Sequence, residues 1–201
     1  MRRAVLLLPA FVGTFVLGRS VEQAVQTFCD ECQSTYLSAD EIQQYLEVAS
    51  ADQQIRSVDI GKAQVQVAIS HRGRLERPGG VAEHDLVTEV YYVISGSATN
   101  VTGSDLVDAV PRGPNNRAVQ FLNGPGHNAT AIRNGTTHEL SAGDILVIPA
   151  GTGHQFTGID DHIRYVMIRV DPDKVIPLKD EADPREYLRN RWGPRVTLPT
   201  A

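Results

Sequence analysis

Cysteine, tryptophan and clustered positive charge are scarce in this chain. Its two cysteines, Cys29 and Cys32, offer at most one local disulfide, a pair of free thiols, half a zinc site or a redox pair. No second Cys pair completes a zinc set, and no strand-helix pattern of the thioredoxin kind follows. With 19 basic against 24 acidic residues, a net charge of −5 and no Lys/Arg cluster, the composition argues against nucleic acid as a partner. The one pronounced apolar run, Ala4 to Leu17, is too short to span a bilayer comfortably. No internal repeat or low-complexity segment is present.

The apolar run has a different reading. Arg2 and Arg3 precede it and Gly18-Arg19-Ser20 follows it, the basic, apolar, small plan of a secretory signal over residues 1–20. The expectation is a secreted or periplasmic protein with no stable membrane span in its mature form. Removing residues 1–20 takes away Arg2, Arg3 and Arg19 and no acid, so the formal charge falls from −5 to −8. Cys29 and Cys32 then meet an oxidising compartment. Gln26-Thr27-Phe28 lacks the small residues that precede a lipoprotein cysteine.

At 201 residues, 41% hydrophobic and 21% charged, the chain suits one buried core with extensions. Ser38-Ala39-Asp40-Glu41 precedes Ile42, Tyr45, Leu46 and Ala49 at helical spacing, with Ser38 as N-cap and Glu41 closing a capping box. This predicts one amphipathic helix, lidding one end of the domain. From residue 54 strands dominate: Arg56 to Asp59, Ala63 to Ser70, Val81 to Thr88, Glu89 to Ile94 with a turn at Ser95-Gly96-Ser97, Ile145 to Ile148, and Arg164 to Val170. The stretch around Gly113-Pro114 and Asn123-Gly124-Pro125 is long for a loop and reads as a flap. The proline-rich tail reads as an irregular strap with a short helix near Arg185 to Asn190. The expected organisation is a signal peptide at 1–20, a helical extension at 21–53, a barrel at 54–170 and a C-terminal extension at 171–201.

Two hairpins carry ligand-type side chains. In the second, Gly143-Asp144 turns the chain, Ile145 to Ile148 form a strand, Pro149 ends ladder pairing, and Gly151 and Gly153 permit the reversal that aims His154. In the first, two-residue alternation puts His84 on a face with Ala82 and Leu86, and Glu89 on a face with Tyr91 and Val93. If both faces turn inward, His84, Glu89 and His154 converge. Two imidazoles and one carboxylate with open positions suit non-haem Fe(II), and the same donors take manganese, zinc or nickel. The structural alternative is a hydrogen-bonded triad without metal.

Tyr91 shares the face of Glu89, so its hydroxyl is placed to donate a proton near such a site; the alternative is a packed tyrosine with its hydroxyl satisfied. Phe156, on the face of His154, is expected to help wall the site. His138 is a reserve fourth ligand, whereas His71, His127 and His162 lack ligand spacing. Arg72, Arg74 and Arg77 read as a solvated loop, with attraction of a carboxylate substrate as the alternative.

These segments resemble the two signature motifs of the cupin family. The second, Gly-x5-Pro-x-Gly-x2-His, is matched in full from Gly143 to His154. The first is matched at His84, Glu89 and Gly96, but Ala82 stands where the family has its first histidine. The resemblance implies an all-β, double-stranded β-helix or jelly-roll barrel whose lumen holds one divalent metal. It further implies a dioxygenase, decarboxylase or isomerase acting on a small organic substrate, Fe(II) and oxygen chemistry being favoured, and barrels that pair as homodimers. Alternatives are a small-ligand-binding barrel without turnover and a metal-free structural barrel.

Overall fold

The computed structural model describes residues 34–49 and 52–178. The expected signal segment, the Cys29/Cys32 pair and the short helix near Arg185 lie outside the described residues.

Helix α1 (Ala39–Val48) starts where the Ser38 hydroxyl accepts the Glu41 N–H at 3.1 Å. The Glu41 side chain departs from the expected capping box: its carboxylate accepts Arg56 Nη2 at 2.6 Å, both groups buried. Arg56 belongs to β1 (Gln53–Asp59). An ion pair between helix and sheet thus replaces a local cap, and its burial makes it directional. The helix does not lid an end as expected. Tyr45 and Leu46, fully buried, pack on Ile55 and Ile69, with Val67, Ile94 and Val166 around them, so α1 covers the outer face of a sheet. Side chains that alternate away from the lumen along the strands provide this apolar ground, and burial of each large one contributes roughly 1.5–3 kcal/mol.

The remaining elements are β2 (Gln64–Leu75), β3 (Val81–His84), β4 (Thr88–Gly103), β5 (Asp105–Val107), β6 (Val110–Pro111), α2 (Arg117–Phe121), β7 (Gly126–Ala129), β8 (Ala131–Arg133), β9 (Thr136–Ser141), β10 (Ile145–Ile148) and β11 (Gly153–Asp171). All pairings are antiparallel and build two layers. One runs β1-β2-β11-β4-β10 and the other β6-β7-β3-β11-β4-β9, while β5 and β8 form a separate ribbon. Strands β4 and β11 belong to both layers, lending their outer halves to opposite sheets. This is the double-stranded β-helix arrangement, all-β around a filled lumen. The stretch between the motifs, expected as a flap, is built of β5 to β8 and α2.

Both long strands bend at one place. Pairing of β11 with β4 jumps from Gly158↔Thr99 to Ile163↔Gly96, a bulge that lets the ribbon turn from one sheet into the other. The expected turn at Ser95-Gly96-Ser97 is this bend, inside a strand of 16 residues. Gly96 adopts φ +76°, and a Cβ there would collide with the backbone carbonyl of His162. Glycine is therefore demanded by both conformation and space. Gly96→Ala is expected to destabilise the protein by about 2 kcal/mol or more, read as a lower urea midpoint with an unchanged slope.

The inward face follows from register. Gln66, Ala68 and Ser70 of β2 lie opposite Arg169, Met167 and Tyr165 of β11, and Glu89 and Tyr91 of β4 lie opposite Arg169 and Met167. Tyr91, Phe156, Tyr165, Met167 and Ile163 join the main buried cluster. One end of this lumen is apolar, and the other carries the charged and ligand-type groups.

Candidate metal centre

Each hairpin contributes to the site by a short backbone tie. His84 ends β3, and its carbonyl accepts the N–H of Gly151 at 2.8 Å, while the next N–H, of Asp85, reaches Pro125 O at 3.0 Å. The turn of the second motif is thereby clipped to the ligand residue of the first. Gly151 itself sits at φ +77°. His154, second residue of β11, lies opposite Ala82 of β3 and Thr102 of β4. Glu89, second residue of β4, lies between Ile148 of β10 and Arg169 of β11.

These placements bring together the three side chains that the spacing nominated. His84 Nε2 stands 3.6 Å from Glu89 Oε1, and His154 Nε2 stands 3.7 Å from Glu89 Oε2. The donor atoms of all three lie within 4.8 Å of one another, and all three residues are buried. The two separations are long for hydrogen bonds. They are close to the roughly 3.4 Å between two donors that each sit about 2.1 Å from a tetrahedrally held ion. On donor type and spacing, the three residues fit a divalent cation.

Electrostatics keep both imidazoles neutral and the carboxylate ionised. Burial holds the His84 imidazole down at about 3, against the pull of Glu89. His154 is lowered from 6.5 for the same reason. Both are neutral at ordinary pH and keep a lone pair. For Glu89, burial alone would raise the carboxyl, but the Arg169 guanidinium overrides it and holds the group well below the usual carboxylate range. Arg169 is fully buried; its Nε donates to Glu89 Oε1 at 2.9 Å and its Nη2 donates to Asp52.

Two further groups fix the carboxylate. Asn123 Nδ2 donates to Glu89 Oε1 at 2.9 Å and Tyr91 Oη donates to Glu89 Oε2 at 2.7 Å. Tyr91 therefore sits beside the triad, its ring edge-on to His154 at 6.2 Å. Burial and the adjacent carboxylate push its phenol well above 10, so it holds its proton at all physiological pH values.

Sequence reading missed Arg169, Asn123, Asp52 and Arg112. Asn123 was visible only as turn punctuation, and Arg169 as an ordinary charged strand residue; their pairing spans 34 and 80 residues. Arg112 Nη2 donates to Glu83 O and lies 3.0 Å from His84 Nδ1. A guanidinium can only donate, so Nδ1 of His84 accepts and the proton of the neutral ring sits on Nε2, facing Glu89. Coordination through Nε2 would move that proton, and Arg112 opposes the move. The case of His154 differs. The Thr152 backbone favours a proton on its ring, though no partner reaches hydrogen-bonding geometry at Nδ1 among the described residues.

The other candidates are placed apart. His138 Nε2 is 2.9 Å from the Thr102 hydroxyl and is not part of the triad. Glu83 points away from His84, as alternation requires, and with Asp85 it holds His127 Nδ1 at 2.8 and 3.2 Å. The Glu83 hydrogen bond raises the His127 ring. His71 and His162 contact each other edge-on. Arg74 is exposed, but Arg72 is not the solvated residue expected: its Nε donates to Tyr165 Oη at 3.0 Å and its guanidinium carbon lies 5.1 Å from the Phe156 ring centre. Strand β2 runs five residues past the predicted end, which carries Arg72 into the lumen.

No protein-family model matches the chain, and no curated protein does. Among solved structures it is similar to a Bacillus halodurans protein, at 16% identity over 75% of this chain and 90% of that one, with a TM-score of 0.44. It is likewise similar to a Klebsiella pneumoniae protein with a double-stranded β-helix domain, at 20% identity over 74% and 99%, TM-score 0.39. A cupin protein from Bacteroides fragilis shows 14% identity over 74% and 92%, TM-score 0.35.

Two outcomes are expected from this geometry. Unfolding releases His84 to titrate near 6.5, whereas the folded ring resists protonation down to about 3. Stability of the metal-free protein is therefore complete above pH 6.5 and declines as pH falls toward 3, by about 2 kcal/mol from His84 alone between pH 7.5 and 5. Urea titrations of chelator-treated protein at the two pH values check this. Arg112→Gln, which frees Nδ1 of His84 and removes a positive charge, is expected to tighten Zn(II) binding about tenfold by calorimetry.

Proposed function

We propose that this chain is a cupin-type metalloprotein, exported from the cytoplasm, that binds one divalent metal on His84, Glu89 and His154 and acts on a small organic molecule. The observation that carries the reading is the convergence of two neutral imidazole nitrogens on the two oxygens of one ionised, buried carboxylate. Two histidines and one carboxylate with positions left open favour Fe(II), and manganese, zinc and nickel accept the same donors. When bound, the ion supplies Lewis acidity, and Fe(II) adds chemistry with oxygen.

The chain's own residues set the conditions. Arg169, Asn123 and Tyr91 hold the Glu89 carboxylate in one orientation. Tyr91 keeps a proton at Oη, 2.7 Å from Glu89 Oε2, for delivery to a substrate oxygen. Phe156, Tyr165 and Met167 exclude bulk water from the lumen, which strengthens electrostatics within it. Ala82, where the motif has a histidine, leaves a coordination position to water or substrate. Export rests on the basic, apolar and small pattern of residues 1–20. No helix among the described residues is long and apolar enough to cross a membrane, and a small-molecule substrate suits the enclosed lumen. Pairing into homodimers follows from the motif resemblance alone.

One observation favours a second reading: Arg112 at His84 Nδ1 suits a metal-free, hydrogen-bonded triad that captures a ligand without turnover. Elemental analysis decides. Protein purified from its own compartment is expected to carry about one metal per chain, with three protein ligands and open positions, and His154→Ala to lower metal affinity by at least 100-fold. Metal content unaffected by His154→Ala, or wild type that takes up none of the four ions, would leave the second reading standing.

A further inference from the structure

A cavity of about 130 Å³ opens against His154, between β2, β3 and the start of β11. At roughly 10–15 Å³ per water-sized group it has room for on the order of ten non-hydrogen atoms. Its wall is apolar at Leu75, Phe156 and Ile159, and small at Gly80 and Ala82. Arg72 is the charged residue of that lining. A histidine at position 82, where the motif has one, would occupy this space. The alanine that costs the site a ligand is also what leaves the cavity beside it.

Arg72 is held in place for a ligand. Its Nε donates to Tyr165 Oη at 3.0 Å and its plane lies over Phe156, 5.1 Å from the ring centre. Among the described residues, Tyr165 is the hydrogen-bond partner of this guanidinium, so the Nη donors are left over. Two contacts on one edge and one face fix the fork without using it, which lowers the entropy lost on binding. A single guanidinium in an otherwise uncharged wall matches one negative charge rather than the two of a phosphate, and its planar fork matches a carboxylate.

We propose that this cavity is the substrate pocket and that it takes a small monocarboxylate, its carboxylate on the Nη groups of Arg72 and its remaining atoms reaching His154. This rests on the reading of His84, Glu89 and His154 as the reacting centre, but carboxylate capture itself needs no metal. Glu89 is not part of the cavity lining and is engaged by Arg169, Asn123 and Tyr91; Asp52 hydrogen-bonds to Arg169. Neither carboxylate hydrogen-bonds to the Arg72 fork, although Asp52 attracts it electrostatically.

The test uses metal-free protein and NMR-detected titration with propionate and benzoate, each against its uncharged amide. At least one carboxylate is expected to bind at least tenfold more tightly than its amide, and Arg72→Gln to weaken it at least tenfold. Because Arg72 also supports Tyr165, a second variant is needed: Ala82→Leu fills the floor of the cavity without touching the guanidinium and is expected to abolish binding. Equal affinity for acid and amide, or binding undiminished in both variants, overturns the proposal. Zn(II) titration of the same samples separates the two readings. Metal uptake that depends on His154 with no carboxylate binding sinks the pocket alone, and carboxylate binding without metal uptake sinks the metal reading while the pocket stands.

Discussion

Everything at the polar end of this lumen depends on one buried ion pair, Arg169 with Glu89. Arg169 is wholly buried and Glu89 nearly so, and neither charge could be kept there alone. Removing either partner of such a pair leaves an unpaired buried charge at a cost of about 3–5 kcal/mol. The pair also has directional content. With Nε of Arg169 and Nδ2 of Asn123 both on Oε1 and the Tyr91 hydroxyl on Oε2, the carboxylate plane is held. Its two oxygens then face the two histidines. Asp52 takes the other end of Arg169, so the charge network extends from the strands to the segment that follows α1.

The long strands make that convergence possible. Strands β4 and β11 each serve two sheets, so a residue near the start of one and a residue near the start of the other approach across the fold. Glu89 enters from one sheet and His154 from the opposite sheet. The bend at Gly96 against His162 lets this ribbon wrap. The backbone bond from Gly151 to His84 then ties the two motif turns directly, adding to the β3–β11 pairing of Ala82 with His154.

Ala82, where the motif has a histidine, also shapes the space beside His154. A smaller side chain beside His154 opens space that Arg72 enters from β2, with Tyr165 and Phe156 positioning its guanidinium. On the other flank, Arg112 touches His84 and is attracted electrostatically by Glu83 and Asp85. Arg72 and Arg112 thus flank the histidines, and Arg169 pairs with the carboxylate that both histidines approach.

Several features were legible in the residues themselves. Ser38 as a helix start, the alternating strands, and the glycines and proline that aim His154 are local: backbone sterics and side-chain alternation act over a few residues, so spacing suffices to read them. His84, Glu89 and Tyr91 were nominated by the same alternation. Where the helix would pack was not legible, because an apolar stripe says only that it is buried, and the ground it meets here is the outer face of a sheet. The run Ser95-Gly96-Ser97 gives the same local signal whether the chain reverses or bulges; only the presence of His162 across the ribbon decides. Arg169, Asn123 and Arg112 were invisible as site residues, and Arg72 was visible only as the alternative to a solvated loop, since a charge on a strand or an asparagine in a turn acquires meaning only from a partner tens of residues away. The amino-acid sequence determined the strand-rich class, the turns and the identity of the three ligand-type side chains. Tertiary structure alone decided which charges surround them, because Coulomb and hydrogen-bond energies depend on distances that long-range strand pairing sets.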